Sequence, residues 1–76
     1  LSEFTLSPHS PLVAKTLADS QLKERFGVTI AMIQRGQRRI LAPGRQDLLL
    51  PHDRIFLIGS EDQLHSAQAL IEENAY

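Results

Sequence analysis

The sequence has 76 residues, of which 42% are hydrophobic and 22% are charged, and its net charge is −1. A chain of this length forms at most one domain. Its composition is typical of chains that fold and excludes an intrinsically disordered protein. The absence of cysteine excludes thiol catalysis, thiolate zinc sites and disulfides, and it suits a reducing compartment. Because so small a core is marginal, we expect self-association to stabilise the fold.

The first strand and the first helix are predicted from alternation and from capping residues. Residues 3–6 alternate polar and apolar side chains, which predicts a short strand with one buried face. Ser10 followed by Pro11 is typical of an N-cap and a first helical residue, so a helix is predicted to begin there. Residues 19–20 offer a second cap, which leaves one helix or a pair of short helices open, and Gly27 is predicted to end the helical stretch.

Three further strands are predicted in the middle of the chain. Residues 28–33 are apolar on both alternating faces and rich in β-branched side chains, which predicts a central strand covered on each side. Gly36 begins a two-residue turn that predicts a hairpin to a strand over residues 38–41. Residues 51–53 form a predicted turn into another buried strand over residues 54–58.

A closing helix completes the predicted fold. Ser60 and Gln63 have the spacing of a capping box, and Leu64, Ala67 and Ile71 then lie on one helical face. The order of elements is strand, helix or helix pair, three strands and helix. This order predicts an α/β (α+β) fold, a small two-layer sandwich in which a mixed four-stranded sheet packs against the helices.

The sequence lacks signatures of catalysis, metal binding or membrane insertion. His9, His52 and His65 stand near turns or on an amphipathic helix, with no nucleophile signature beside them and no metal-binding spacing. The four glycines form no phosphate-binding loop. No apolar run approaches the length that crosses a bilayer, and no export segment is present. We therefore predict that the protein is not an enzyme, with no catalytic residue and no metal.

The charges are unevenly distributed along the chain. Residues 25–46 contain five arginines and no acid, whereas residues 47–76 contain one arginine and six acids. The basic surface could attract an anionic ligand or pair with the acidic surface of another copy, or it could be a solvated hairpin rim. We predict no nucleic-acid binding, because the overall charge is slightly negative and the few aromatic residues provide no stacking platform.

Several segments, in their order and spacing, resemble one known family. They are residues 10–17, 22–28, 33–36 and 50–59 together with Pro43. Over nearly the whole chain they resemble the TrkA C-terminal domain, also called the RCK C-terminal domain, although that family often has glycine where Ala14 stands. The resemblance implies a cytoplasmic regulatory module of potassium channels, potassium uptake systems and cation/proton antiporters. Members form dimers, bind small ligands in or near the dimer groove, and act on a membrane partner or an attached nucleotide-binding domain.

The resemblance predicts one regulatory domain over residues 1–76, a fragment of a longer bacterial cation transport protein. The parent is expected to be a cation/proton antiporter or a potassium transport or channel protein, with this domain on the cytoplasmic side of the cell membrane. We expect a homodimer whose ligand-dependent arrangement gates transport. The alternatives are a purely structural dimerisation domain without a ligand and, less favoured, a nucleic-acid-binding module.

The resemblance also points to a ligand-binding position. Some family members bind a cyclic dinucleotide through an acidic residue, an arginine and an asparagine that follow an aliphatic pair. The aliphatic pair corresponds to Leu17 and Ala18, and the polar positions correspond to Gln21, Lys23 and Thr29. All three polar residues differ from the family's, which argues against a cyclic dinucleotide. A small anionic or nucleotide ligand remains open, because Lys23 could meet a phosphate as a point charge.

The candidate ligand-binding residues are Leu17, Ala18, Gln21, Lys23, Arg25 and Thr29. In the alternative interpretation, Lys23 and Arg25 only cover the exposed face of a helix. Ile30 and Met32 belong either to the core, which is favoured, or to an apolar dimer seam.

Overall fold

The computed structural model of the chain describes residues 1–73, which contain four strands and three helices. In chain order they are β1 (Ser2–Thr5), α1 (Leu17–Ser20), α2 (Leu22–Phe26), β2 (Thr29–Arg35), β3 (Arg38–Leu41), β4 (Arg54–Ile58) and α3 (Glu61–Ile71). The predicted two-layer α+β sandwich with a four-stranded sheet, a helix pair and a closing helix is confirmed.

The sheet is antiparallel throughout, with strand order β1-β4-β2-β3. The prediction of a mixed sheet is wrong in this respect. β1 and β2 do run in the same direction, as their connection through helices suggests. However, β4 inserts between them and is antiparallel to both, so no two neighbouring strands are parallel.

The segment that begins at Ser10 is a series of turns, so the prediction of a helix from Ser10 and Pro11 is wrong. Ser10 Oγ accepts a hydrogen bond from the Leu12 amide at 3.2 Å and donates one to the Leu70 carbonyl of α3 at 2.8 Å. Ser10 therefore does cap a local turn, but its hydroxyl fastens that turn to the closing helix. Leu12 is only 2% exposed, so the turn also contributes to the core.

The helical stretch is a pair of short helices, which confirms the second of the two alternatives. Thr16 is the N-cap of α1 and accepts a hydrogen bond from the Asp19 amide. Gln21, with φ 55°, adopts the left-handed conformation that separates α1 from α2. Gly27, with φ 74°, ends α2 as predicted, and its amide bonds to the Lys23 carbonyl.

The central strand β2 is covered on one face only, contrary to the prediction of cover on both. A register shift between Ile30 and Met32 lets Ile30 and Ile33 both point to the helices, where Ile33 is fully buried. Met32 aligns with Phe56 on β4 and Leu41 on β3, in a row on the opposite face. Leu41 in that row is 72% exposed. Ile30 thus packs against the core as favoured, whereas Met32 does not.

The predicted hairpin and capping box are both confirmed. Arg35 pairs with Arg38 across a two-residue turn whose first residue, Gly36, has φ 61°. Ser60 Oγ accepts from the Gln63 amide at 3.2 Å, and Gln63 Oε1 accepts from the Ser60 amide at 2.8 Å. These local devices begin β3 and α3 where the sequence places them.

The core lies between the sheet and the helices, and it includes residues from turns and loops. Its buried apolar members are Phe4, Leu6, Leu12, Leu22, Val28, Ile33, Leu49, Ile55, Leu57, Ala67 and Ile71. Leu49 belongs to the connection between β3 and β4 and has no exposed surface. That connection is therefore anchored by hydrophobic burial as well as by hydrogen bonds.

Candidate functional site

A cleft of about 290 Å³ lies between the two short helices, the start of β2 and the loop that follows β3. Apolar side chains from all these elements line it, including Leu17, Val28, Ile30 and Pro43. A concave surface of this kind suits the flat apolar part of a small ligand.

Four of the six predicted ligand-binding residues line this one cleft. They are Leu17, Ala18, Lys23 and Thr29, which come from α1, α2 and β2. Gln21, whose left-handed backbone separates α1 from α2, stands between the residues contributed by the two helices. Their role toward a ligand stays a prediction.

The other two predicted residues do not line the cleft. Gln21 forms the junction between α1 and α2. The Arg25 guanidinium lies over the ring of Phe26, with its carbon 5.1 Å from the ring centroid. Arg25 thus contacts an aromatic face, a geometry that stabilises a cation by about 0.5–1 kcal/mol at an exposed site.

Two further charged side chains, Glu24 and Arg45, line the cleft and were not among the predicted residues. Arg45, from the loop after β3, lies with its Nη1 4.0 Å from Oε2 of Glu24 on α2. Lys23 precedes Glu24 and has no ion-pair partner in the part of the chain that the structure describes. We call Lys23, Glu24 and Arg45 the charged rim, and its formal charge is +1. The basic composition of residues 25–46 was the available signal for Arg45, but its distance in sequence from α1 and α2 concealed the contact.

Backbone hydrogen bonds join the loop after β3 to the first turn of α1. The Leu17 amide donates to the Asp47 carbonyl at 2.9 Å, and the Ala18 amide donates to the Arg45 carbonyl at 3.1 Å. The Asp47 side chain accepts from the Gly44 amide at 2.7 Å, which closes the loop on itself. The loop therefore satisfies amides that a helix start leaves unpaired, and it holds Arg45 beside the cleft.

An ion pair with a buried carboxylate anchors the other end of the same connection. Arg35, the last residue of β2, donates from Nε and Nη2 to the Asp53 carboxylate at 2.9 and 2.8 Å. Arg35 Nη2 also donates to the Leu48 carbonyl at 3.0 Å, and the Leu50 amide donates to Asp53 at 2.9 Å. The carboxylate of Asp53, which is only 1% exposed, raises the pKa of Arg35 through these hydrogen bonds. This network fixes the connection that carries one wall of the cleft.

Within residues 1–73, no cluster of His, Asp or Glu side chains has the three members that a metal ion would need. None of the helices in this range combines the length and the apolar character needed to cross a membrane. The cleft offers an apolar surface beside Lys23 and Arg45. Both can bind anionic oxygens, and Arg45 can do so through two parallel hydrogen bonds.

Comparison with known proteins identifies a family and a curated relative. The model of the TrkA-C domain matches residues 1–72. Probable potassium channel protein 2 of Methanocaldococcus jannaschii is 29% identical over 73 residues, covering 96% of this chain and 21% of the relative. The chain thus spans about a fifth of the length of that relative.

Solved structures share the fold. The RCK_C domain dimer of S. agalactiae BusR, in complex with c-di-AMP, matches with a TM-score of 0.86 and 24% identity, over 92% of this chain and 86% of that chain. BusR has also been solved with promoter DNA, where 34% of its chain is covered. The RCK C domain of the potassium transport protein KtrA, also with c-di-AMP, matches with a TM-score of 0.76 and 22% identity, over 88% and 79% of the two chains. At these identities the likeness is one of fold.

Proposed function

The chain belongs to the TrkA-C domain family, and from this premise we propose that it is a ligand-binding regulatory domain of a cation transport protein. Similarity to a potassium channel and to the fold of a potassium transport protein supports potassium channels or transporters as the parent. A cation/proton antiporter is the second candidate parent. In either case we place the domain on the cytoplasmic side of the membrane, and we propose no catalytic activity for it.

The observation that carries this proposal is the cleft beside the charged rim. Its apolar lining can bury a flat group, while Lys23 and Arg45 can bind anionic oxygens at its edge. A nucleotide, or another small ligand with an apolar part and an anionic part, fits both features. Lys23 stands at a position where the family pattern described above has arginine, and Arg45 supplies a guanidinium from the opposite wall.

We propose that the domain acts as a homodimer, as supported by the dimer of the BusR domain with the same fold. A two-fold dimer places the same surface of both copies in contact, so a ligand near that surface could favour one relative orientation of the copies. Transport is gated only if the ligand binds two orientations with different affinities.

A thermal unfolding experiment with candidate ligands tests ligand binding. At a concentration of 100 times the dissociation constant, a ligand that binds only the folded chain adds about 2.7 kcal/mol. For a domain of this size, that corresponds to a rise of about 10–20 °C in the unfolding midpoint. We expect such a rise with inorganic pyrophosphate, which is the first probe. The second probe is c-di-AMP, the ligand of the BusR complex: the residues at 21, 23 and 29 argue against it, whereas Arg45 adds a guanidinium that the sequence pattern did not include.

Two variants, each with an alanine replaced by phenylalanine, show whether the rise in the unfolding midpoint comes from binding in the cleft. Ala18→Phe fills the cleft and is expected to abolish the rise, whereas Ala69→Phe, on the exposed surface of α3, is expected to retain it. An unchanged midpoint for the original chain with both probes would contradict the proposal and favour a purely structural dimerisation domain.

Nucleic-acid binding is the remaining alternative, since BusR has been solved with DNA. It would draw on the exposed Arg38 and Arg39 of the β2–β3 hairpin, which make no ion pair within residues 1–73. Binding of this kind to any duplex would weaken steeply with salt. We expect no binding to duplex DNA even at low salt.

A further inference from the structure

The charged rim of the cleft contains a carboxylate that neutralises one of its two cations. Glu24 and Arg45 face each other from α2 and from the loop after β3, with 4.0 Å between Oε2 and Nη1. Lys23 lines the same cleft without an ion-pair partner in the described residues. Arg45 therefore has a carboxylate beside it, whereas Lys23 makes no ion pair within residues 1–73.

The contact between Glu24 and Arg45 is weak enough to be replaced by a ligand. Their side chains are 54% and 77% exposed, and a separation of 4.0 Å exceeds hydrogen-bond length. Exposed ion pairs of this kind contribute little to stability. A phosphate oxygen pair can instead accept two parallel hydrogen bonds from a guanidinium, which is a stronger interaction.

We propose that Glu24 is an intramolecular competitor for the ligand of this cleft, an inference that rests on the proposed ligand-binding function. Its carboxylate lies where a ligand's anionic group would have to approach Arg45. A ligand with two anionic groups, of the diphosphate or dinucleotide class, displaces Glu24 and binds Lys23 and Arg45 together. Glu24 thus sets the affinity of the cleft and disfavours ligands whose single anionic group gains too little to displace it.

Single variants of the 76-residue chain test the competition, with inorganic pyrophosphate and c-di-AMP as titrants in calorimetry. Because Arg45 no longer has to be released from Glu24 before it binds the anion, Glu24→Gln is expected to tighten binding about fivefold. Arg45→Gln is expected to weaken binding about tenfold. Asp62→Asn is the matched control, because it removes one negative charge from the exposed surface of α3 and is expected to leave the affinity within about twofold.

The double variant Glu24→Gln/Arg45→Gln separates competition from simple repulsion of an anion. If Glu24 acts by occupying Arg45, the Glu24→Gln change has little effect on affinity once Arg45 is gone. A full fivefold gain in that background would show general repulsion and would overturn the inference. An unchanged affinity of Glu24→Gln would also overturn the inference about Glu24. Binding of a titrant by the original chain would then still support the proposed ligand-binding function. Failure of the original chain to bind either titrant would contradict the proposed function itself.

Discussion

Replacing Arg35 with methionine is expected to lower the free energy of unfolding by about 3 kcal/mol. The change leaves the Asp53 carboxylate buried, at 1% exposure, without the two charge-assisted hydrogen bonds that it accepts from Arg35. The Leu48 carbonyl also loses its donor. Removing the partner of a buried carboxylate is costly because the remaining charge stays out of water, whereas methionine largely preserves the methylene groups of the partly exposed Arg35 side chain.

Urea unfolding of Arg35→Met, followed by circular dichroism, measures this loss, with Arg39→Met as the control. Arg39 is an exposed arginine on the neighbouring strand, with no ion pair among the described residues, and its replacement is expected to change stability by less than about 0.5 kcal/mol. A double variant, Arg35→Met/Asp53→Asn, is expected to be more stable than the sum of its single variants predicts. A loss below about 1 kcal/mol for Arg35→Met would contradict the assigned role of the pair.

Replacing Ile55 with alanine is expected to cost about 3–4 kcal/mol of unfolding free energy. Ile55 has no exposed surface and stands on β4, which pairs with β1 on one side and β2 on the other. Its side chain therefore sits in the middle of the core, where the surrounding atoms can collapse only partly into the space left by truncation.

Ile58 provides a matched control on the same strand. It is 52% exposed, so Ile58→Ala is expected to cost less than about 1 kcal/mol. Because a domain this small could unfold altogether on losing Ile55, Ile55→Val is measured as well, with an expected cost of about 1 kcal/mol. Equal losses for Ile55→Ala and Ile58→Ala would contradict the assignment of the core to one face of the sheet.

Those parts of the fold that depend on local chemistry were predictable from the sequence. The capping box at Ser60, the glycine turn at Gly36 and the helix end at Gly27 each involve residues within a few positions of one another. Their hydrogen bonds and backbone angles are fixed largely by residue type, so a sequence pattern is sufficient evidence for them.

The predictions about the fold that were wrong concern features that depend on contacts between segments distant in sequence. Ser10 has the appearance of a helix cap, but its hydroxyl bonds to the Leu70 carbonyl, and the chain forms turns until Thr16. The sheet was wrongly predicted to be mixed. The insertion of β4 between β1 and β2 depends on long-range strand pairing, which the local sequence does not show. The register shift in β2, which places Met32 on the face away from the core, likewise leaves no local signal.

In the candidate site, too, residues close in sequence were predictable and a residue brought in by long-range contacts was not. Leu17, Ala18 and Lys23 were grouped by the family resemblance, whose pattern places all three within seven positions of the sequence. Arg45 could not be added to them, because its position depends on hydrogen bonds between its loop and the first turn of α1. The contact between Arg45 and Glu24 depends in turn on that placement.

Amide chemical shift mapping of the isotope-labelled chain, titrated with c-di-AMP or inorganic pyrophosphate, locates a bound anion directly. We expect saturable shifts concentrated at the amides of Ala18, Thr29 and Arg45, which surround the cleft. The amides of Arg38 and Arg39 on the exposed hairpin are expected to remain unchanged. Shifts confined to that hairpin, or none at saturating concentrations of either compound, would contradict a ligand-binding cleft.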